Sequence, residues 1–91
     1  MEFEWDERKN RDNVAKHGIR FEDAARIFRG PVLSWMDERE DYGEAREISI
    51  GMIAAVAIVA VVHTDRRGVV RLISARPASR EERRRYEKTL R

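Results

Sequence analysis

The spacing of apolar residues changes at Gly30 and Pro31, and this change most constrains the fold. Before it, Phe21, Ala24 and Phe28 recur at the spacing of one helix face. After it, apolar and polar residues alternate along short segments, which is the period of a β-strand with one buried face. This switch, followed by a charged helix at the end, predicts an α+β domain with helices packed on a sheet.

The residues between these segments predict the element order β-α-α-β-β-β-β-α. Asp6 is a good N-cap for a polar helix over residues 6–17, and Gly18 can end that helix in the left-handed conformation. Ser79 and Glu82 form a capping box that starts the last helix. We expect a two-layer, mostly antiparallel arrangement, with a hairpin turn near residues 53–55. The strands are expected at residues 2–5, 32–35, 47–50, 56–62 and 69–74.

The composition excludes several classes of protein. The chain has 91 residues, of which 42% are hydrophobic and none is cysteine, which predicts a single domain over residues 1–91 without disulfides. Two histidines without a carboxylate cluster beside them predict no metal site, and we expect no cofactor. The longest apolar run, residues 50–62, is shorter than the ~18 residues of a membrane span, so we expect a cytoplasmic protein. A domain this small gains stability by association, so a partner or a second copy is expected.

Charge is distributed unevenly along the chain. Residues 1–65 contain 9 Lys and Arg against 14 Asp and Glu, whereas residues 66–91 contain 10 against 3. A basic segment beside an acidic remainder is typical of proteins that bind a phosphate backbone. The same charges could also form a solvated, solubilising helix, and charge alone does not decide between the two.

Three groups of residues carry a family resemblance. They are Trp5-Asp6-Glu7 with Lys9, Asn13 and Lys16-His17-Gly18; Gly43-Glu44, Arg46 and Ile50-Gly51; and Ile73-Ser74-Ala75-Arg76 with Ala78, Glu82 and Tyr86-Glu87. In this order and spacing they resemble the BrnT family of toxins from bacterial type II toxin–antitoxin systems. The resemblance implies a RelE-like ribonuclease fold, RNA cleavage without a metal, and neutralisation by a protein antitoxin of the BrnA type. The sequence departs from the family pattern at His63, where tyrosine is expected.

Metal-free RNA cleavage needs a base for the ribose 2′-OH, an acid for the leaving 5′-oxygen and cations for the phosphorane. Arg76 lies where the last strand meets the terminal helix and is the first candidate cation, since a guanidinium can bind phosphate through two parallel hydrogen bonds. The alternative for Arg76 is a salt bridge to Glu82 or Glu44. Arg66, in the predicted turn before that strand, is the second candidate cation or a solvated charge.

Four further residues are candidate catalytic groups, and each has a structural alternative. His17 has an ordinary pKa close to neutral pH, but its place at a helix end beside Gly18 is also explained by capping. Glu82 and Tyr86 share one helix face, where Glu82 could serve only the capping box and Tyr86 could lie in the core or stack on a base. His63, on a central strand, is either a buried, hydrogen-bonded side chain or a catalytic group near Arg66.

RNA-binding residues are predicted on two helices. Lys9 and Asn13 lie one turn apart on a helix with few apolar residues, which predicts a polar surface for RNA or the antitoxin. Arg83, Arg84 and Arg85 could steer RNA electrostatically or form a solvated helix face. Together with these residues, the resemblance to the BrnT family implies a metal-independent endoribonuclease toxin that arrests translation and growth. A non-catalytic module that binds RNA or protein through its basic C-terminal segment is the alternative.

Overall fold

The computed structural model describes residues 1–54 and 57–90, which form five strands and three α-helices. The strands are β1 (Glu2–Glu4), β2 (Leu33–Met36), β3 (Glu47–Ile53), β4 (Ala57–Arg66) and β5 (Val69–Pro77). The helices are α1 (Glu7–His17), α2 (Phe21–Ala24), which continues as a 3-10 helix over Ala25–Arg29, and α3 (Arg80–Leu90). The α+β class and the element order predicted from the sequence are confirmed.

The strands form one sheet in the order β1-β5-β4-β3-β2. β1 pairs with β5 in parallel, and the other neighbouring strands are antiparallel. The register between β4 and β5 shifts by one residue at Val62 and His63, which is a β-bulge. β4 lies in the centre, and its nearly continuous apolar sequence suits a strand that is buried on both faces.

Helices cover both faces of this sheet. Val59 and Val61 of β4 pack against α2 and the 3-10 helix, on the side that we call the α1 face because α1 also lies there. Ile58 and Ala60 point the other way, to the α3 face, where Tyr86 of α3 is buried. The two layers expected from the sequence are therefore corrected to a sheet with α1 and α2 on one face and α3 on the other.

α1 is attached to the fold by a buried amide rather than by an apolar stripe. The Asn13 side chain donates to the carbonyl oxygens of Ala75 and Ile19, both at 2.8 Å, and accepts from the Ala75 N–H at 3.1 Å. Ala75 lies on β5 beyond the three residues that pair with β1, so Asn13 satisfies strand-edge groups that β1 does not reach. Asn13 is 6% exposed and does not lie on the polar RNA-binding surface predicted from the sequence.

A second buried amide joins α1 to α2. Asn10 accepts a hydrogen bond from the Phe21 N–H at 2.8 Å, which caps the first turn of α2 from outside that helix. Its amide nitrogen donates to Glu22 at 2.9 Å and to Glu7 at 3.0 Å. These contacts explain how a helix with so few apolar residues packs against the domain.

Some boundaries differ from the sequence prediction. The last strand reaches Pro77 instead of residue 74, because Arg76 and Pro77 still pair with β4. The second helix tightens into its 3-10 segment after Ala24. Gly51 permits a close approach there, since a Cβ at this position would lie 2.7 Å from the Ile27 Cβ. The predicted turn near residues 53–55 is present at Ala54, while residues 55 and 56 lie outside the described part of the chain. No helix among the described residues is long and apolar enough to cross a membrane.

Candidate active site

Arg76 and Glu82 form a two-armed ion pair on the α3 face. Arg76 pairs with Ala60 in the sheet register, and Ala60 belongs to the apolar cluster under α3. The Nη1 and Nη2 atoms of Arg76 donate to Glu82 Oε1 at 2.6 Å and to Glu82 Oε2 at 2.9 Å. The side chains are 29% and 13% exposed, so the guanidinium remains partly accessible to a ligand. The salt bridge left open as an alternative for Arg76 is therefore formed.

Glu82 has two roles in this geometry. It also accepts a hydrogen bond from the Ser79 N–H at 2.8 Å, and Ser79 Oγ accepts one from the Glu82 N–H at 3.1 Å. The predicted capping box is confirmed. The Arg76 hydrogen bond, with the Ser79 N–H helping, lowers the pKa of Glu82 to about 2. Glu82 is thus a firmly ionised carboxylate while Arg76 holds it.

A second ion pair, which the sequence patterns did not indicate, lies in the connection after β2, and its charges act on Arg76. Asp37 has a fully buried side chain and accepts from Arg39 Nε and Nη2, both at 2.8 Å, and from the Tyr42 hydroxyl at 3.2 Å. The Arg39 hydrogen bond lowers the pKa of Asp37 to about 2. The charges of Arg39 and Asp37 also act on the pKa of Arg76, opposing each other, while the Glu82 hydrogen bond raises it overall. We call Arg76, Glu82, Arg39 and Asp37 the arginine–carboxylate cluster.

A sequence signal for Asp37 exists in the strand alternation before it. Leu33 and Trp35 of β2 pack on the α3 face, so alternation directs the residue two positions further to the same face. The charged residues 37–44 have the composition of a connection between strands. For this reason the sequence did not indicate that Asp37 continues the alternation of the buried residues before it.

Among the neighbouring residues of α3, the tyrosine is buried and the arginines are exposed. Tyr86 is 2% exposed, and its hydroxyl donates to the Pro31 carbonyl at 3.2 Å, so the ring lies in the core instead of facing a base. The Arg85 guanidinium lies 4.5 Å from the centre of the Trp35 ring, in a cation–π contact. Arg83 and Arg84 are exposed, beside Arg80 and Lys88 on the outer surface of α3.

The remaining candidates lie away from the cluster. Arg66 pairs with Glu44 at 3.1 Å and stands six residues along β4 from Ala60, the partner of Arg76, which is roughly 20 Å of strand. Lys9 is exposed on α1, on the other face of the sheet. His17 is half-buried at the end of α1, followed by Gly18 with φ of 72°, which fits the capping alternative. The structure therefore brings together Arg76 and Glu82 but neither Arg66 nor the α1 residues.

His63 is a buried, hydrogen-bonded side chain, as one of its two alternatives predicts. It is 8% exposed on the α1 face, its Nε2 lies 2.7 Å from Ser49 Oγ, and its ring meets the Phe28 ring edge-on with centroids 5.1 Å apart. Ser34 Oγ in turn lies 2.7 Å from Ser49 Oγ. Burial lowers the pKa of His63 despite the opposing charges of Glu47 and Asp65. The ring is therefore neutral at physiological pH.

We expect His63 to make stability sensitive to mild acid. Because its pKa is depressed in the folded state, the unfolded chain binds the proton first, and stability falls as the pH drops below about 6.5. The slope for one proton is at most about 1.4 kcal/mol per pH unit. Melting temperatures between pH 7.5 and 5 should fall more for the wild type than for His63→Gln, which keeps a partner for Ser49. Parallel curves for the two proteins would contradict this assignment.

Comparison with known proteins agrees with this architecture. The family profile described as the ribonuclease toxin BrnT of type II toxin–antitoxin systems matches residues 5–82, which include the whole arginine–carboxylate cluster. The chain belongs to the BrnT toxin family. This BrnT-family chain also resembles the crystal structure of the Brucella abortus ribonuclease toxin BrnT, with a TM-score of 0.67 and 29% sequence identity. The alignment covers 88% of this chain and 99% of that one. No curated protein sequence matches it significantly.

Membership of the BrnT family indicates the class of substrate and the class of partner. The family consists of ribonuclease toxins that are paired with antitoxins, so RNA is the implied substrate and an antitoxin is the implied partner. Among the described residues, no group of three His, Cys, Asp or Glu side chains is placed to hold a metal ion. The arginine–carboxylate cluster of this chain supplies guanidinium groups and carboxylates.

Proposed function

We propose that this chain acts as one toxin domain that cleaves RNA endonucleolytically without a metal ion, with the arginine–carboxylate cluster as its phosphate site. The observation that carries the proposal is the two-armed Arg76–Glu82 pair, since a carboxylate held in this way occupies the position that two phosphate oxygens would take. The Arg39 guanidinium is 61% exposed and offers a second cation, whose charge acts on Arg76. The Arg76–Glu82 pair lies where β5 meets α3, and both of its side chains are partly exposed.

The proposed reaction is a transesterification. The ribose 2′-oxygen attacks the adjacent phosphorus, the bond to the 5′-oxygen breaks, and the products are a 2′,3′-cyclic phosphate and a 5′-hydroxyl end. When the phosphate engages Arg76, Glu82 loses the hydrogen bond that holds its pKa at about 2, and its basicity rises. Glu82 can then accept the 2′-OH proton, and the leaving 5′-oxygen takes a proton from solvent water. Arg76 and Arg39 stabilise the negative charge on the phosphorane.

Neutralisation and growth arrest complete the proposal. In the cytoplasm the free toxin would cleave cellular RNA and stop translation and growth, and a cognate antitoxin of the BrnA type would suppress this, with more than one toxin copy in the complex. Expression of the chain alone should therefore arrest bacterial growth. Unimpeded growth with abundant soluble protein would contradict the toxin assignment.

The enzymatic part is tested with purified protein and a 5′-fluorescein-labelled RNA in the presence of EDTA. We expect fragments that end in a 2′,3′-cyclic phosphate, recognised by their change in mobility after treatment with acid and phosphatase. The matched control is Glu82→Gln, which keeps an acceptor for the Ser79 N–H but not the base. Salt-dependent RNA binding without any fragments would instead support the non-catalytic binding module.

The outer surface of α3 should contribute to RNA affinity through charge alone. Arg83 and Arg84 are exposed, and Arg85 is exposed although it stacks on Trp35. Replacing the three arginines by glutamine should reduce the slope of log affinity against log salt by about 2–3, because each phosphate that is no longer neutralised lowers the slope by nearly one unit. Fluorescence anisotropy at several KCl concentrations measures this slope. An unchanged slope would show that these side chains are only solvated.

A further inference from the structure

An apolar groove lies on the α1 face, remote from the arginine–carboxylate cluster. Its volume is about 500 Å³, and it runs between β1 at the sheet edge and the 3-10 helix that follows α2. Its floor and rim are lined by Met1, Phe3, Trp5 and Phe28, together with Arg26 and Arg29. The proposed chemistry on the α3 face uses none of these residues.

The floor of the groove is uneven and apolar. The Phe3 and Phe28 rings lie 5.6 Å apart at a tilt of 34°, and Trp5 stands edge-on to Phe21, at an angle of 77°. Met1 is 82% exposed at the open end. Rings inclined to one another and half-buried in the core suit branched apolar side chains better than the flat faces of stacked bases. Aromatic, methionine and arginine side chains together are also the composition enriched in protein–protein interfaces.

In the part of the chain that the structure describes, the cations at the rim have no counterion. Arg26 and Arg29 are exposed, and within the described residues neither makes an ion pair or side-chain hydrogen bond, whereas Arg66, Arg71 and Arg76 are each paired with a carboxylate. Glu22 also lines the groove, but its carboxylate accepts from Asn10. Two unpaired guanidinium groups beside an apolar floor favour a partner with carboxylates next to apolar side chains. A symmetric contact with a second copy would bring four such cations together, which disfavours that occupant.

We propose that this groove binds the antitoxin through an acidic amphipathic segment, with apolar side chains in the groove and carboxylates on Arg26 and Arg29. This inference rests on the proposed function, because it requires a neutralising protein. It places the anchor of the antitoxin on the face opposite Arg76 and Glu82. Binding at the groove therefore does not require contact with the phosphate site.

The test measures binding of the wild type and of the double variant Arg26→Glu/Arg29→Glu. The probe is the protein encoded by the reading frame beside the toxin's own, titrated by calorimetry and co-expressed in a growth assay. We expect the double variant to bind at least about tenfold more weakly, since charge reversal opposes acidic side chains, and to escape neutralisation. It should still cleave RNA and keep its melting temperature. The matched control is Arg8→Glu/Arg11→Glu, which makes the same change in charge on exposed residues of α1 and should bind normally.

Each other result overturns the proposal in a distinguishable way. Equal affinity of the wild type and the Arg26→Glu/Arg29→Glu variant would remove the groove from the antitoxin interface. If that variant instead loses affinity for a fluorescein-labelled 12-nucleotide oligouridine and keeps its affinity for the protein probe, the groove is an RNA site. If the wild type forms no complex with the probe, the proposed neutralisation fails together with the groove, whereas the RNA cleavage assay still judges the enzymatic proposal separately.

Discussion

Arg76→Ala should reduce RNA cleavage a hundredfold or more, because removing one positioned donor from a developing oxyanion commonly costs ~2.7–4 kcal/mol. Arg76→Lys keeps the charge but cannot form the planar two-armed contact, so its rate should lie between those of the wild type and Arg76→Ala. Single-turnover cleavage of a labelled RNA measures both variants. We expect the cleavage rate to decrease from the wild type to Arg76→Lys and further to Arg76→Ala.

Stability must be measured beside the rate, since Arg76 also joins β5 to α3. Glu82 is 13% exposed, and loss of its partner should lower the free energy of unfolding by about 1–2 kcal/mol. The double variant Arg76→Ala/Glu82→Gln removes the unpaired charge and should recover part of this stability without recovering activity. Full activity of Arg76→Ala with a lowered melting temperature would make Arg76 a purely structural residue and move the phosphate site elsewhere.

Asn13→Ala should destabilise the domain by about 2–4 kcal/mol. The substitution removes three hydrogen bonds and leaves the Ala75 N–H and C=O without their partner at a buried strand edge. An unsatisfied buried polar group costs ~1–3 kcal/mol, and Asn13 serves more than one. For a domain of this size, each kcal/mol lowers the melting temperature by roughly 4–8 °C. Thermal unfolding followed by circular dichroism measures the change.

Two variants test why Asn13 matters. Asn13→Asp keeps an acceptor for the Ala75 N–H but places a carboxylate against the carbonyl oxygens of Ala75 and Ile19, so it should also be destabilised. Lys9→Ala, one turn away on the exposed side of α1, should change stability by less than about 0.5 kcal/mol. A melting temperature for Asn13→Ala equal to that of Lys9→Ala would contradict the anchoring role.

In the structure, the charged groups of the candidate active site are paired with one another. Both arginines of the cluster are bound to carboxylates, and the pKa values of Asp37 and Glu82 are lowered to about 2 by those contacts. In the proposed mechanism a phosphate competes with Glu82 for Arg76, and this exchange releases Glu82 as a base. The Arg76–Glu82 pair joins the start of α3 to β5, whereas the Asp37–Arg39 pair lies within the connection after β2.

Local sequence signals predicted the elements well. Asp6 and Gly18 bound α1, and Ser79 with Glu82 starts α3, because capping depends on side chains within a few residues of the helix end. Alternation identified the strands, and the apolar run of β4 predicted a central strand. The three groups of residues together indicated the family, which the profile match over residues 5–82 confirms.

Contacts between distant residues were decided only by the tertiary structure. Asn13 looked like a surface residue because nothing near it in the chain reveals that Ala75, 62 positions later, presents unpaired backbone groups. Asp37 looked like part of a loop, and Arg66 looked like a companion of Arg76, since sequence order carries no distance across a sheet. The sequence by itself determined the elements, their order and the family, because these follow from local spacing, capping and motif. Which polar residues are buried, and which charges meet, depends on packing across the sheet, and only the folded chain decides it.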